Sequence, residues 1–205
     1  MTEKERMLSG KLYNPYKVDN SEWLNAKQKM ATFNNSTYPI DENDMDILRS
    51  VFANLGDSSL IIPPVFFDHG WKISVGNHFF ANTCFTVLDI APVTIGNNVF
   101  IGSHVSIYTA AHPIDAKIRN MDLEYAKPVT IGNDVWIGGS VVINPGVTIG
   151  SNVVIGSGSV VTKDIPDNVI AVGNPCHVIR AIGESDREFW NNEYMDYLND
   201  SDCIN

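Results

Sequence analysis

With 205 residues, 44% of them apolar, the chain can bury the core of one domain with a small appendage. Its 24 acidic and 14 basic residues give a net charge of −10, which repels phosphate backbones over most of the surface and excludes a general nucleic-acid binder, although a small anion at a local basic cluster stays permitted. No apolar run reaches the roughly 18 residues of a membrane span, and the charged opening "MTEKERMLSGK" lacks the apolar stretch of a secretion signal.

Three cysteines, Cys84, Cys176 and Cys203, are odd in number and widely spaced, which fits neither a disulfide framework nor a metal-binding pair. A cytoplasmic protein with reduced thiols is expected.

Residues 1–60 read as a helical segment. In "TEKERML", Thr2 and Glu5 have the spacing of a capping box, and Gly10 can end the turn. "NSEWLNAKQKMATF" carries Trp23, Met30 and Phe33 at helical spacing, with Ser21 or Asn20 as cap. "DENDMDILRSVFANLG" is the strongest helix: Asp41 or Asn43 caps it, Met45, Leu48, Val51, Phe52 and Leu55 form one face, and Gly56 stops it.

From Ile73 the period changes. Ile falls at 131, 137, 143, 149 and 155 and Val at 161, and a Val stands two residues before each Ile from 131 to 155. A helical period of 3.6 cannot hold residues six apart on one face for so long, and a single strand of this length is improbable. A coil of short strands with a turn every six residues satisfies the pattern, with Ile pointing inward and Gly or Asn at each bend, where positive φ is cheap. The predicted fold is a parallel β-helix of hexapeptide repeats spanning 61–182, mainly β, with a tail at 183–205. The step also runs through Ile73/Val75, Phe79/Ala81, Phe85/Val87, Val93/Ile95, Val99/Ile101 and Val105/Ile107. It slips by two residues in "LDIAP" (88–92) and breaks from about Thr109 to Lys127, an excursion the length of one three-sided coil. An interruption of a packed repeat carries a cost and often a site.

"IYTAAHPID", "KPVTIGNDVWIGGSVVINPGVTIG", "VVTKDIPDNVIAVGNPCHVIR" and "MTEKERMLSGKLY" closely resemble the maltose and galactoside O-acetyltransferases, with the nodulation acetyltransferases as cousins. The resemblance runs from Thr2 to about Ile182. It implies a left-handed coil, an exception to the usual right-handed crossover, a homotrimer with active sites between subunits, acetyl-CoA as co-substrate and no metal.

His112 sits on the excursion beside Pro113, which restricts its neighbour's backbone, and matches the family's general base. Imidazole can take a proton near neutral pH, which a sugar hydroxyl needs to become a nucleophile. Asp68, Asn82, Asp89 and Glu124 are candidates for the acceptor pocket. Asn82 and Asp89 match family pocket positions, and Glu124 shares the His112 loop. For the coenzyme, Trp136 faces outward if Val135 and Ile137 face inward, and Gly139 permits close approach and offers an amide to an oxyanion. Ser157, Thr162, Lys163 and Arg180 match coenzyme-contacting positions, with Lys163 and Arg180 suited to phosphates. His177 replaces a basic residue found in some relatives. Pro15, Trp23 and Ile90 depart from the acidic and arginine contacts expected of galactoside enzymes; the maltose-like pattern fits better at Ile90 and Glu124 but not at Trp23, so a glucose- or maltose-like or related glycoside in an altered pocket is expected.

Three other readings compete: an antibiotic-modifying O-acetyltransferase of the same fold, a hexapeptide-fold metalloenzyme using three of His69, His78, His104, His112 and His177, and a non-catalytic scaffold.

Overall fold

A computed structural model describes residues 1–19 and 21–200. Helix α1 (Glu3–Leu8) opens on the expected box: the Thr2 side chain accepts from the Glu5 N–H, and the Glu5 carboxylate accepts from the Thr2 N–H. Gly10, at φ +68°, turns the chain out of it. Helix α2 spans Ser21–Asn34. Ser21 is its first residue rather than its cap, and both its N–H and its hydroxyl donate to Asp19 at 3.0 Å. Asn20, the other cap candidate, lies outside the described residues, as does Cys203. Helix α3 (Glu42–Arg49) is capped by Asp41, with Asp44 closing the box. It stops short of the expected end. Leu55 already belongs to a coil strand, Asn54–Leu55, and the Gly56 N–H donates to the Val75 carbonyl at 3.1 Å. Sheet pairing outbids one more helical turn there.

The coil has three faces of mostly parallel strands. The first face stacks Asn54–Leu55, Ile73–Val75, Val93–Ile95, Val129–Ile131 and Thr148–Ile149. The second stacks Leu60–Ile61, Phe80–Ala81, Phe100–Ile101, Val135–Ile137, Val153–Ile155 and Val169–Val172, with the antiparallel strand His177–Ala181 at its edge. The third stacks Val65–Phe67, Phe85–Leu88, Ser106–Tyr108, Val142–Ile143 and Val160–Val161. The predicted Ile and Val positions all point inward and are fully buried, forming one continuous core. Ala26 and Phe33 of α2 and Met45 and Leu48 of α3 extend that core.

The bends meet the expectation only in part: Asn98 and Asn152 take positive φ, but the glycines next to the inward Ile serve another purpose. The glycine directly after each inward Ile does not have positive φ. It is needed for close approach: a Cβ on Gly96 would lie 2.6 Å from the Gly132 carbonyl oxygen of the next turn. Positive φ falls two residues later, at Asn98, His104, Asp134, Ser140 and Asn152.

Three irregularities stack at one corner, between the third and first faces. A regular turn pairs residues eighteen apart, as Ile131 with Ile149, whereas Asn54 pairs with Ser74 and Ile73 with Val93, two residues more, which lengthens the corners at 68–72 and 88–92. Val93 then pairs with Val129, so the 109–127 excursion is an addition to a complete turn. The Lys127 N–H donates to the Thr109 carbonyl at 2.9 Å and closes its base. The excursion holds a short antiparallel ladder, Ala110–Ala111 with Tyr125–Ala126, and the single-turn helix α4 (Ala116–Arg119). The N-terminal segment adds to the same corner. Tyr13 forms an antiparallel bridge with Glu124, and Asn34 binds both the N–H and the carbonyl of Val65 at 2.8 Å. Beyond the coil, α5 runs from Glu184 to Asn199.

Candidate active site

The stacked corner and the N-terminal segment enclose a cavity of about 410 Å³. Its wall includes Tyr13, Tyr16 and Trp23 from the N-terminal segment, Asp68, His69 and Ile90 from the two lengthened corners, and His112 and Glu124 from the excursion. This volume suits a small molecule. Three of the residues predicted from sequence, Asp68, His112 and Glu124, converge here, together with the departures Pro15, Trp23 and Ile90.

His112 is half-exposed. Its Nδ1 faces the Leu123 carbonyl at 3.3 Å, and its Nε2 faces Glu124 Oε1 at 4.0 Å. A proton on Nδ1 satisfies the carbonyl and leaves Nε2 as a bare acceptor toward the cavity. Asp115 accepts the Ile118 N–H at 3.0 Å, and Arg119 donates to the Pro113 and Ile114 carbonyls at 3.1 Å, which ties the loop behind His112 to α4. Glu124 Oε2 accepts from the Tyr13 hydroxyl at 2.8 Å.

Asp68 is paired with Lys27 at 3.1 Å, and the same ammonium donates to the Phe67 carbonyl and lies 5.3 Å from the Trp23 ring centroid. Lys27 thereby links α2 to the cavity wall.

Asp89, expected in the wall, is fully buried behind it. Its Oδ1 accepts the N–H groups of Asp68 and His69, both at 2.9 Å, which fixes the lengthened corner. Burial pushes its carboxyl up to about 6, against the opposing pull of those two N–H donors and of Lys72. Lys72 is also buried, donates to the Ile90 carbonyl at 2.6 Å, and is pushed down to about 8, chiefly by burial. Burial, aided by Lys72, lowers His69 to about 4, so its ring is neutral at physiological pH.

Asn82 lies at the corner between the second and third faces, apart from this cavity. Its Oδ1 accepts the Thr83 N–H at 2.7 Å. Gly139 and Ser157 stack at that same corner, where the Gly158 N–H donates to the Gly139 carbonyl at 2.9 Å. Trp136 is exposed on the second face between Phe100 and Val154. Thr162 and Lys163 are exposed after the last third-face strand. Arg180 pairs bidentately with Asp186 at 2.7 Å, which holds that carboxyl down at about 2. A coenzyme phosphate at Arg180 would have to displace this partner. Within one chain, the coenzyme candidates therefore do not converge on the His112 cavity. His78 and His104 occupy positive-φ bends, and no three metal-ligating side chains cluster among the described residues.

Sequence reasoning missed Tyr13, Tyr16 and Lys27, and weighed His69 only as a metal ligand. Each is a single residue outside the repeat, brought to the site by tertiary packing, and no local spacing marks it.

The repeat coil and its helical cap both match known family models. Residues 6–56 match the family model of the maltose acetyltransferase hexapeptide capping motif, and residues 128–163 match that of the bacterial transferase hexapeptide. Galactoside O-acetyltransferase of Escherichia coli is 43% identical over 195 residues, 95% of this chain and 96% of that protein. Among solved structures, a maltose O-acetyltransferase from Clostridium difficile 630 superposes with a TM-score of 0.86 at 50% identity, covering 90% of this chain and 99% of that one. A galactoside acetyltransferase in complex with coenzyme A gives 0.88 at 43% identity, covering 91% and 94%. The chain belongs to the maltose and galactoside O-acetyltransferase family and is an acyltransferase.

Proposed function

We propose that the enzyme transfers the acetyl group of acetyl-CoA to a hydroxyl of a sugar or glycoside, with His112 as general base. The observation that carries this is the placement of His112 in the wall of a small-molecule cavity, with Nδ1 facing the Leu123 carbonyl and Nε2 facing Glu124. The acceptor hydroxyl gives its proton to Nε2 as its oxygen attacks the thioester carbonyl. The tetrahedral adduct collapses with cleavage of the C–S bond, and the imidazolium returns the proton to the departing thiolate. Glu124, 4.0 Å from Nε2, stabilises the imidazolium or accepts from a neighbouring acceptor hydroxyl.

The wall favours an acceptor with an apolar face. Tyr16 and Trp23 offer ring faces on which a pyranose can stack, and Ile90 and Pro15 offer no hydrogen bonds from their side chains. The acceptor we infer is a glucoside, maltoside or related glycoside rather than a simple galactoside.

Gly139, Ser157, Thr162 and Lys163 border the third face and are assigned to the coenzyme. Their separation from His112 within one chain supports a homotrimer in which one subunit supplies His112 and its neighbour the coenzyme surface. A cytoplasmic location fits this chemistry; no described helix is long and apolar enough to cross a membrane.

Thiol release from acetyl-CoA across a panel of glycosides tests the assignment. His112→Ala should lower kcat on the order of 10²–10⁴-fold with the KM for acetyl-CoA little changed. Retention of more than about a tenth of wild-type kcat, with chemistry rate-limiting, places the base elsewhere. A galactoside outperforming every glucoside and maltoside sinks the acceptor assignment.

A further inference from the structure

We infer that Tyr13 is a positioning residue: its phenol holds the Glu124 carboxylate in the orientation that faces His112. The inference rests on the reading of His112 as general base.

Tyr13 is about 1% exposed and comes from the segment between α1 and α2, far in sequence from the loop it touches. Two backbone hydrogen bonds tie it there, from the Tyr13 N–H to the Glu124 carbonyl at 2.9 Å and from the Glu124 N–H to the Tyr13 carbonyl at 3.0 Å. The side chains then repeat the pairing, with the Tyr13 hydroxyl donating to Glu124 Oε2 at 2.8 Å. One carboxylate oxygen is thus occupied, and the other, Oε1, is turned to His112 Nε2 at 4.0 Å.

Burial raises the phenol's pKa, and Glu124 and Asp68 raise it further, so Tyr13 remains a donor across the working pH range. The 4.0 Å spacing between Oε1 and Nε2 is too long for a direct hydrogen bond. It leaves space for an acceptor hydroxyl to reach both atoms and keeps a negative charge beside the imidazolium once the proton has moved. A glutamate with both oxygens free could rotate about its terminal torsion, which is broad and roughly two-fold. A 1 Å misplacement in such a site is costly. Tyr13 removes that freedom and, through its backbone bridge, makes the N-terminal segment part of the catalytic apparatus as well as a cover for the coil.

Tyr13→Phe removes only the hydroxyl and keeps the buried ring and both backbone bonds. It should lower kcat on the order of 10–100-fold, the range for a lost hydrogen bond to a charged group, with the acetyl-CoA KM within about twofold and an unchanged unfolding temperature within a few degrees. A merely structural tyrosine would move the unfolding temperature and spare kcat. In a Glu124→Gln background, Tyr13→Phe should cause little further loss, because the two residues act as one unit. The inference is overturned if Tyr13→Phe keeps more than half of wild-type kcat, or if its loss multiplies in full with that of Glu124→Gln. Should His112→Ala remain active, the general-base reading is what fails, and the coupling between Tyr13→Phe and Glu124→Gln still decides whether Tyr13 acts through Glu124.

Discussion

The Asp89 carboxylate accepts the His69 N–H at 2.9 Å, and the two side chains respond to pH in opposite directions. Burial raises the Asp89 carboxyl from 3.8 to about 6 and lowers the His69 imidazole from 6.5 to about 4. For Asp89 the folded state binds more protons than the unfolded state between these values, so its contribution to stability is present below pH 4 and is lost as pH rises toward 6. For His69 the unfolded state binds more protons, so stability rises with pH from about 4 to 6.5. The two trends offset each other in the wild type. In Asp89→Asn the amide oxygen still accepts both N–H groups while the Asp89 titration, worth roughly 3 kcal/mol, disappears. The variant should then show an unfolding temperature that climbs with pH across 4–6.5, where the wild type is nearly flat. Equal slopes in the two proteins would show that the carboxyl is not raised by burial.

At the scale of elements, the coil was legible in the sequence because each turn repeats the same inward Val and Ile pair, and a six-residue step permits few other solutions. The two places where that step fails, 88–92 and 109–127, marked the cavity's location, since an inserted residue must leave the prism at a corner. The helix caps Thr2 and Asp41 were readable from local spacing alone. The end of α3 was not, because Leu55 serves a strand pairing that exists only once Val75 is in place. The side of the bend on which glycine is needed was also hidden: the glycine after each Ile makes room for the next turn's backbone, and the left-handed residue comes later. These two roles separate by mutation. On Gly96 a Cβ would sit 2.5 Å from Asn133 Oδ1 and 2.6 Å from the Gly132 carbonyl oxygen. Gly96→Ala should cost about 1–3 kcal/mol or more through overpacking. Asn98, at φ 55°, tolerates glycine, and Asn98→Gly should stay within about 1 kcal/mol of wild type. Thermal unfolding of the two variants decides it, and a Gly96→Ala protein as stable as wild type would show that the turns can part to admit a methyl group.

At the scale of the molecule, the outward residues of the three faces differ in chemistry. The first face presents Asn54, Ser74, Thr94, Thr130 and Thr148, a polar stripe suited to water. The second presents Leu60, Phe80, Phe100, Trp136, Val154 and Ile170, with Phe100 41% and Trp136 58% exposed in the single chain. A continuous apolar ladder on a repetitive surface is costly in water and fits the subunit contact of the proposed trimer. In the homotrimer proposed above, covering this ladder is what would bring the coenzyme residues of one subunit toward the His112 cavity of the next, so assembly and activity should be lost together. Phe100→Asp places a charge on the outer face while the inward Val99 and Ile101 stay in the core. Sedimentation equilibrium should show it dissociated, with acetyl transfer lost on the order of 10²-fold or more through separation of the reacting groups and the circular dichroism of the coil retained. Thr130→Asp, on the polar stripe, should leave both mass and activity unchanged. A wild-type chain that sediments as an active monomer, or a Phe100→Asp protein that remains a trimer, would show that the second face is not the subunit contact.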